Sequence, residues 1–140
     1  MTEIRPLTPQ ECVRLLPTQP IGRLAFSEHA LPTVRPVNFF LDNDDIIVRT
    51  SQSGSMSRLS GEVVAFEVDS VDAATHTGWS VVVIGRIATI TDIDELVRLA
   101  GPAHRPWAGG ERARFLRLPI EMISGRTLLL NDRGTVSAAS

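Results

Sequence analysis

The sequence lacks lysine and tyrosine, and it has one cysteine among its 140 residues. Without lysine, Schiff-base chemistry and a nucleotide-binding P-loop with its lysine are both excluded. The single cysteine excludes an intrachain disulfide. Cys12 stands in an apolar helical stretch, which predicts a buried, unreactive thiol rather than a nucleophile. All 14 basic residues are arginines, and the net charge of -2 argues against general binding to nucleic acid or anionic membranes.

Long apolar runs are absent as well. No stretch approaches the roughly 18 residues that span a bilayer, and the N-terminal segment has no apolar signal-peptide core. We therefore expect a soluble, cytoplasmic protein. His29, His76 and His104 occupy isolated loop positions, so they do not indicate acid–base chemistry. The spacing of Asp69, Asp72 and His76 matches no familiar metal site, and we predict none.

The composition favours one β-rich domain. A chain of this length usually forms a single domain. We predict one domain over 1–140, with a core at about 10–130 and a frayed tail at 131–140. Apolar residues make up 43% of the chain, and valine and isoleucine, which favour strands, are frequent. The chain can therefore bury a substantial core.

The periodicity predicts six or seven strands and two or three short helices. Thr8, Pro9 and Glu11 form a helix start with a capping box. A second helix is predicted to begin at Asp92 with an acidic first turn and to end before Gly101. The predicted strands cover 21–27, 32–42, 46–50, 62–68, 79–91, 113–124 (crossed by Pro119) and 127–130. Long strands and polar turns of this kind indicate a mainly β protein, a closed or nearly closed antiparallel barrel. Gly85, in the middle of the longest strand, predicts a bulge or bend.

The stretch from Pro36 to Ser57 is the most informative. Pro36 cannot donate to a ladder, so it indicates a strand edge, a bulge or a backbone that faces a ligand. Asn38 shares its face, either as a satisfied polar residue or as a ligand contact. The polar residues 42–45 predict a hairpin turn rather than a calcium loop.

Hydroxyl residues surround a glycine directly after this hairpin. Arg49 and Thr50 end the second strand, and the loop continues through Ser53, Gly54 and Ser55 into a short predicted helix. Backbone amides, hydroxyls and a guanidinium are the parts of a phosphate site. A flexible serine–glycine loop beside a surface arginine is the alternative. Trp107, in a loop farther along, fits either an interface or ligand lid, or plain packing.

Several short motifs in a fixed order resemble one known family. They are G-R-L-A-F at 22–26, R-P-V-N-F at 35–39, R-T-x-x-x-G-S at 49–55, V-V-A-F-E-V-D at 63–69, T-G-W-S-V-V-V-I-G-R-I at 77–87, P-W-A at 106–108 and I-S-G-R at 123–126. In this order they resemble the pyridoxamine 5'-phosphate oxidase-like, FMN-binding split-barrel proteins. The similarity is greatest to a small bacterial branch and covers about residues 10–130.

The resemblance implies a six-stranded antiparallel split barrel that forms a homodimer with FMN at the subunit interface. The flavin ring would lie against one strand, the phosphate would lie at the loop after the next, and the partner subunit would add residues. The implied cofactor-binding residues are Pro36, Val37, Asn38, Phe39, Arg49, Thr50, Ser53, Gly54 and Ser55, with Trp79, Ser80 and Trp107 from the partner.

One position departs from the family pattern. Met56 stands where the family commonly has a lysine, so a cation for the phosphate is missing, and Arg58 is the predicted substitute. The expected function is a flavin-dependent oxidoreductase that transfers hydride to or from a small molecule. The alternatives are a reductase that uses the deazaflavin F420, or a non-catalytic flavin-binding or storage protein. Residues that would bind the phosphate of pyridoxamine phosphate cannot be identified, so that oxidase activity is not expected. No catalytic residue is predicted, because a flavin itself carries the chemistry.

Overall fold

The computed structural model describes residues 5–51, 55–101, 113–130 and 136–138. Within these residues the chain forms nine strands, two α-helices and two short 3-10 helices. The strands are β1 (Ile21–Glu28), β2 (Leu31–Asp42), β3 (Asp45–Ser51), β4 (Val63–Asp72), β5 (Thr77–Arg86), β6 (Ala88–Thr89), β7 (Ala113–Leu118), β8 (Met122–Leu130) and β9 (Val136–Ala138). The helices are α1 (Pro9–Leu15), α2 (Ile93–Leu99) and the 3-10 helices Leu16–Thr18 and Ser55–Arg58.

The strands form one antiparallel sheet in the order β6-β7-β3-β2-β1-β4-β5-β8-β9. Only Ile87 separates β5 from β6, and β6 pairs with β7 at the opposite end of the sheet. The sheet therefore closes on itself. Counting β5 and β6 as one strand, six strands surround the core, while β8 and β9 extend the sheet beyond the barrel. The predicted fold class is confirmed, although the described residues contain nine strands rather than six.

Gly85, where the sequence predicts a bulge or bend, lies opposite Val64 in the regular β4–β5 register, and the strand is interrupted only at Ile87. A side chain on residue 85 would collide with the carbonyl oxygen of Pro119. The backbone amide of Arg86 donates to the carboxylate of Glu121 at 2.9 Å. The β7–β8 connection therefore packs directly on the point where β5 turns into β6.

Two tight turns set the register of the first three strands. His29 and Ala30 connect β1 to β2, and Asn43 and Asp44 connect β2 to β3, all with positive φ between 50° and 65°. Two consecutive residues of this kind form the hairpin turn whose twist matches that of the strands. The hairpin predicted at residues 42–45 is confirmed.

The barrel interior is apolar. Its largest fully buried side chains include Phe66, Leu24, Leu116 and Leu118. Cys12 is completely buried, and burial raises the pKa of its thiol. The expected unreactive thiol is therefore confirmed as a core residue.

Helix α1 begins as the sequence predicts. The Thr8 hydroxyl accepts from the Glu11 amide, and the Glu11 carboxylate accepts from the Thr8 amide. Arg5 donates twice to the same carboxylate and, with the Thr8 contacts, lowers the pKa of Glu11 to about 2. The helix packs against β8, where Gly125 leaves room for the sulfur of Cys12.

Charged side chains hold α2 on the barrel. Asp42, at the end of β2, accepts two hydrogen bonds from Arg98 on α2 and one from Arg117 on β7. Arg117 also pairs with Asp45 and with Glu95 of α2. The pKa of Asp42 is lowered to about 2, mainly by Arg98 and then by Arg117.

Four of the predicted boundaries are wrong. Residues 113–124 are not one strand, because β7 ends at Leu118 and β8 begins at Met122. The separate strand predicted at 127–130 is part of β8, which runs unbroken from Met122 to Leu130. The predicted strand 79–91 divides into β5 and β6. The connection between β4 and β5 is only four residues long, since β4 continues to Asp72 and β5 begins at Thr77. Within the predicted tail, Val136–Ala138 pair with β8.

No helix among the described residues is long and apolar enough to cross a membrane.

Candidate functional site

The predicted ring-binding residues alternate between the two faces of β2. Val37 is 5% exposed and faces the core. Phe39 faces the same way and packs edge-on against Phe66, with ring centroids 4.9 Å apart. Pro36 and Asn38 are exposed on the outer face. Of these four predicted ring-binding residues, Pro36 and Asn38 are the two whose side chains face the outside of the barrel.

The edge of β2 opens beside these two residues. Its pairing with β1 runs from Leu31 to Asn38, but its pairing with β3 begins only at Asn38. In the described part of the chain, the β3 side of β2 therefore has no strand partner before Asn38. Pro36 lies on this open edge, so the structure selects the strand edge among the alternatives that its sequence context allows.

Arg49 lies directly opposite Asn38 on the outer face. The two residues are paired in the β2–β3 register, and such partners have Cα atoms about 4.5–5.5 Å apart. On its other side, Arg49 pairs with Phe115 of β7. The amide of Asn38 and the guanidinium of Arg49 thus form one polar position beside the open edge of β2.

Thr50 occupies the opposite face from Arg49. It is 8% exposed and is the one buried polar or charged residue in the described part of the chain. Its partner in the β3–β7 ladder is Arg114, a partly buried residue on the same side of the sheet. Sequence reasoning missed Arg114, because only the strand register brings it to the end of β3.

The short 3-10 helix after β3 turns Met56 toward the barrel. Met56 is partly buried and packs against the core, so the residue at the lysine position has an apolar role. Arg58 is exposed and lines a cleft of about 200 Å³ with His29, Glu28 and Glu62 among its neighbours. None of the predicted site residues of β2 and β3 lines that cleft.

The remaining predicted residues do not join this position within one chain. Trp79 faces the core, and Ser80 lies on the outer face opposite Asp69 and Arg126. Three strands, β2, β1 and β4, separate β3 from β5 in the order of the sheet. Ser53, Gly54 and Trp107 lie outside the described residues, and the side chain of Ser55 is likewise not described.

A charged cluster lies on the outer face, between the predicted site residues of β2 and β3 and those of β5. One nitrogen of Arg23, the partner of Pro36 in the β1–β2 ladder, donates to both Glu67 and Asp69 at 3.0 Å. Burial raises the pKa of Glu67 to about 7, with a further contribution from Asp69. Because two carboxylates share one guanidinium, the attraction of Arg23 for Glu67 does not offset the desolvation of Glu67 and its repulsion by Asp69. The alternation of each strand predicts outward positions, but only the register reveals this cluster.

An apolar row crosses the same outer face beside the charged cluster. Five residues follow one another in register across five strands: Val34, Ala25, Ala65, Ile84 and Met122. Three of them are large and exposed, with 63% for Val34, 37% for Ile84 and 64% for Met122. Four residues of this row, Val34, Ala25, Ala65 and Ile84, line a groove of about 380 Å³. Contiguous exposed apolar patches of this kind mark interaction surfaces.

The described residues contain no group of three or more histidine, cysteine, aspartate or glutamate side chains arranged to hold a metal ion.

Comparisons with known proteins bear on this arrangement. The family model described as pyridoxamine 5'-phosphate oxidase matches residues 8–127. The uncharacterised protein Rv0080 of Mycobacterium tuberculosis is 31% identical over 137 residues, which cover 94% of this chain and 90% of the relative.

Solved structures with the same fold extend the comparison. An FAD-binding protein from Mycobacterium smegmatis superposes with a TM-score of 0.80 at 26% identity, covering 91% of this chain and all of the other. An FAD-binding protein from Mesorhizobium loti gives a TM-score of 0.71 at 26% identity, covering 89% and 96% of the two chains.

Proposed function

Because this chain belongs to the pyridoxamine 5'-phosphate oxidase family, we propose that it is a flavin-binding oxidoreductase with its cofactor on the outer face of β2 and β3. The observation that carries the proposal is the pairing of Asn38 with Arg49 beside the open edge of β2. An amide, a guanidinium and backbone groups without a strand partner among the described residues match the polar groups of a flavin nucleotide.

Each of these groups has a role in holding the cofactor. Backbone groups of β2 near Pro36 would hydrogen-bond the polar edge of the ring, and Asn38 would orient it. Arg49 would hold the phosphate together with Thr50 and with the predicted loop residues Ser53, Gly54 and Ser55. When bound, the flavin supplies hydride and electron transfer. The chain supplies position and charge, and the substrate is a small molecule whose identity the site does not specify.

FMN is the cofactor implied by the sequence, and FAD is the second candidate. Two relatives that are 26% identical to this chain over about nine-tenths of its length are FAD-binding proteins. That similarity supports FAD as a candidate beside FMN, because both nucleotides present the same ring to β2 and differ only beyond the first phosphate.

We also propose that the protein acts as a homodimer through the apolar row on its outer face. A two-fold interface must be self-complementary. The row offers an uncharged strip, and the adjoining positions carry both signs in Arg23, Arg126, Glu67 and Asp69. Since Ser80 and Arg49 do not meet within one chain, we assign Ser80 to the site of the partner subunit. Trp79 packs against the core of its own chain and, like Trp107, stays a predicted contributor.

A binding experiment tests the cofactor assignment. Purified protein, freed of endogenous chromophore, is titrated with FMN, FAD, riboflavin and F420, and cofactor fluorescence is recorded. The expected result is saturable binding of FMN or FAD, tighter than that of riboflavin. A protein that purifies colourless and changes the fluorescence of neither flavin nucleotide contradicts flavin binding. Binding of F420 alone supports the deazaflavin alternative.

Turnover separates an oxidoreductase from a storage protein. The loaded protein is mixed anaerobically with NADH, NADPH or reduced F420, and the absorbance of the flavin is followed before and after oxygen or model acceptors are added. Reduction and reoxidation over many cycles support the oxidoreductase. Tight flavin binding with no reduction by any donor supports storage instead.

A further inference from the structure

Arg114 lies at the start of β7, beside the predicted phosphate-binding end of β3. It pairs with Thr50 in the β3–β7 ladder, which places their Cα atoms about 4.5–5.5 Å apart. Both residues lie on the same side of the sheet, because side chains alternate along each strand and Leu116 and Leu118 continue that side into the core.

The charge of Arg114 has no partner in the described part of the chain. Its side chain is partly buried, yet it makes no hydrogen bond or ion pair with any described residue. Arg117, three positions along the same strand, pairs with three carboxylates. Burying a guanidinium without a counter-charge is unfavourable, so the position of Arg114 suits an anion that comes from outside the chain.

The other candidate positions near this end of β3 do not supply a cation on the side of Thr50. Position 56 holds a methionine that packs against the core. Arg58 lines the cleft that contains Glu28 and Glu62, two carboxylates that disfavour a second anion. Arg49 lies on the outer face, so one cation is still missing on the side of Thr50.

We propose that Arg114 is the second cation of the phosphate site and replaces the charge that Met56 does not supply. The anion is the phosphate or pyrophosphate of the flavin nucleotide, held past the end of β3 between Arg49 on one side and Arg114 on the other. A guanidinium fork suits phosphate oxygens, to which it can donate two parallel hydrogen bonds. This inference rests on the proposed flavin binding and specifies the residues that hold its charged part.

The test compares nucleotides that carry phosphate with riboflavin, which has none. Wild-type, Arg114→Gln, Arg58→Gln and the control Arg14→Gln, which alters an exposed arginine of α1, are titrated with FMN, FAD and riboflavin. Arg114→Gln is expected to weaken binding of FMN and FAD about 10- to 100-fold, the range of a charged hydrogen bond. Its riboflavin affinity should equal that of the wild-type, and Arg14→Gln should change nothing.

The outcomes separate this inference from flavin binding itself. Wild-type FMN affinity in Arg114→Gln, or a loss confined to Arg58→Gln, overturns the role of Arg114 and leaves flavin binding intact. If the glutamine variant does not fold, Arg114→Met, whose apolar stem suits this side of β7, takes its place. Equal wild-type affinities for FMN and riboflavin overturn the phosphate site whatever the variants do. No binding of any flavin overturns the proposed function as well.

Discussion

Gly22 of β1 lies directly under the aromatic ring of Phe66 of β4, where any side chain on residue 22 would overlap the edge of that ring. The same ring meets Phe39 of β2 edge-on, with an interplanar angle of 70°. Residues of three neighbouring strands, β2, β1 and β4, thus pack around the ring of Phe66. Because Asn38 is next to Phe39, this contact also fixes the strand that carries the proposed ring-binding positions.

Gly22→Ala is therefore expected to destabilise the fold by about 1–3 kcal/mol, the usual cost of overpacking a core. Urea unfolding followed by circular dichroism measures the change. Gly101→Ala is the matched control, because a methyl group there meets only ordinary van der Waals contact. Phe66→Leu should recover part of the loss in the Gly22→Ala background. Equal unfolding midpoints for the two alanine variants would show that the ring moves aside without cost.

Arg49→Ala tests the cation opposite Asn38. We expect FMN affinity to fall about 10- to 100-fold, since a charged hydrogen bond to phosphate is removed. Riboflavin affinity should change little, and thermal stability should be retained because Arg49 lies on the outer face. Arg14→Ala on α1 serves as the control. Unchanged FMN affinity in Arg49→Ala contradicts the phosphate assignment.

Ile84→Glu tests the apolar row. A charge in the middle of a buried interface without a partner is strongly unfavourable, so the variant should sediment as a monomer at concentrations where the proposed wild-type dimer forms. Ile93→Glu makes the same change on α2 at a residue that is 73% exposed, and it should leave the assembly intact. Analytical ultracentrifugation distinguishes the two. A dimer that survives Ile84→Glu rules out this row as the interface.

The raised pKa of Glu67 predicts a pH dependence. The folded protein keeps the Glu67 proton up to a pKa of about 7, whereas the unfolded chain loses it near 4.5. Between these values the folded state binds more protons, so the contribution of Glu67 to stability decreases as pH rises from about 4.5 to 7. Glu67→Gln should flatten the melting temperature between pH 5 and 8 relative to wild-type. Parallel curves for the two proteins would be inconsistent with the raised pKa.

Asp42 predicts the opposite dependence at acid pH. Its pKa falls from 3.8 to about 2 on folding, so its contribution is present above about pH 4 and is lost as pH falls toward 2. Asp42→Asn should cost about 1–2 kcal/mol at neutral pH, because Arg98 loses its carboxylate while Arg117 keeps Asp45 and Glu95. Asp44→Asn, in the neighbouring turn, is the control. Chemical unfolding at pH 7 and pH 3 should show that the stability difference between wild-type and Asp42→Asn is smaller at the lower pH.

Local chemistry explains what the sequence predicted correctly. The capping box at Thr8 and Glu11 and the turn at 42–45 depend on neighbouring residues, and both are confirmed. The edge position of Pro36 is one of the three alternatives that its missing amide allows. The strand predicted at 113–124 is wrong because Pro119 separates β7 from β8 and does not lie within one long strand.

The sequence by itself determined the fold class, the family and the cluster of polar residues from Pro36 to Ser55, because these depend on local pattern and on motif order. The tertiary structure decided which distant residues become neighbours. It placed Thr50 opposite Arg114 and five apolar residues in one row. The turn at Asn43 and Asp44 sets the pairing of Asn38 with Arg49, but the pairings of β3 with β7, β1 with β4 and β5 with β8 join strands that no hairpin connects. Their register depends on closure of the barrel around its core, which no short stretch of sequence contains.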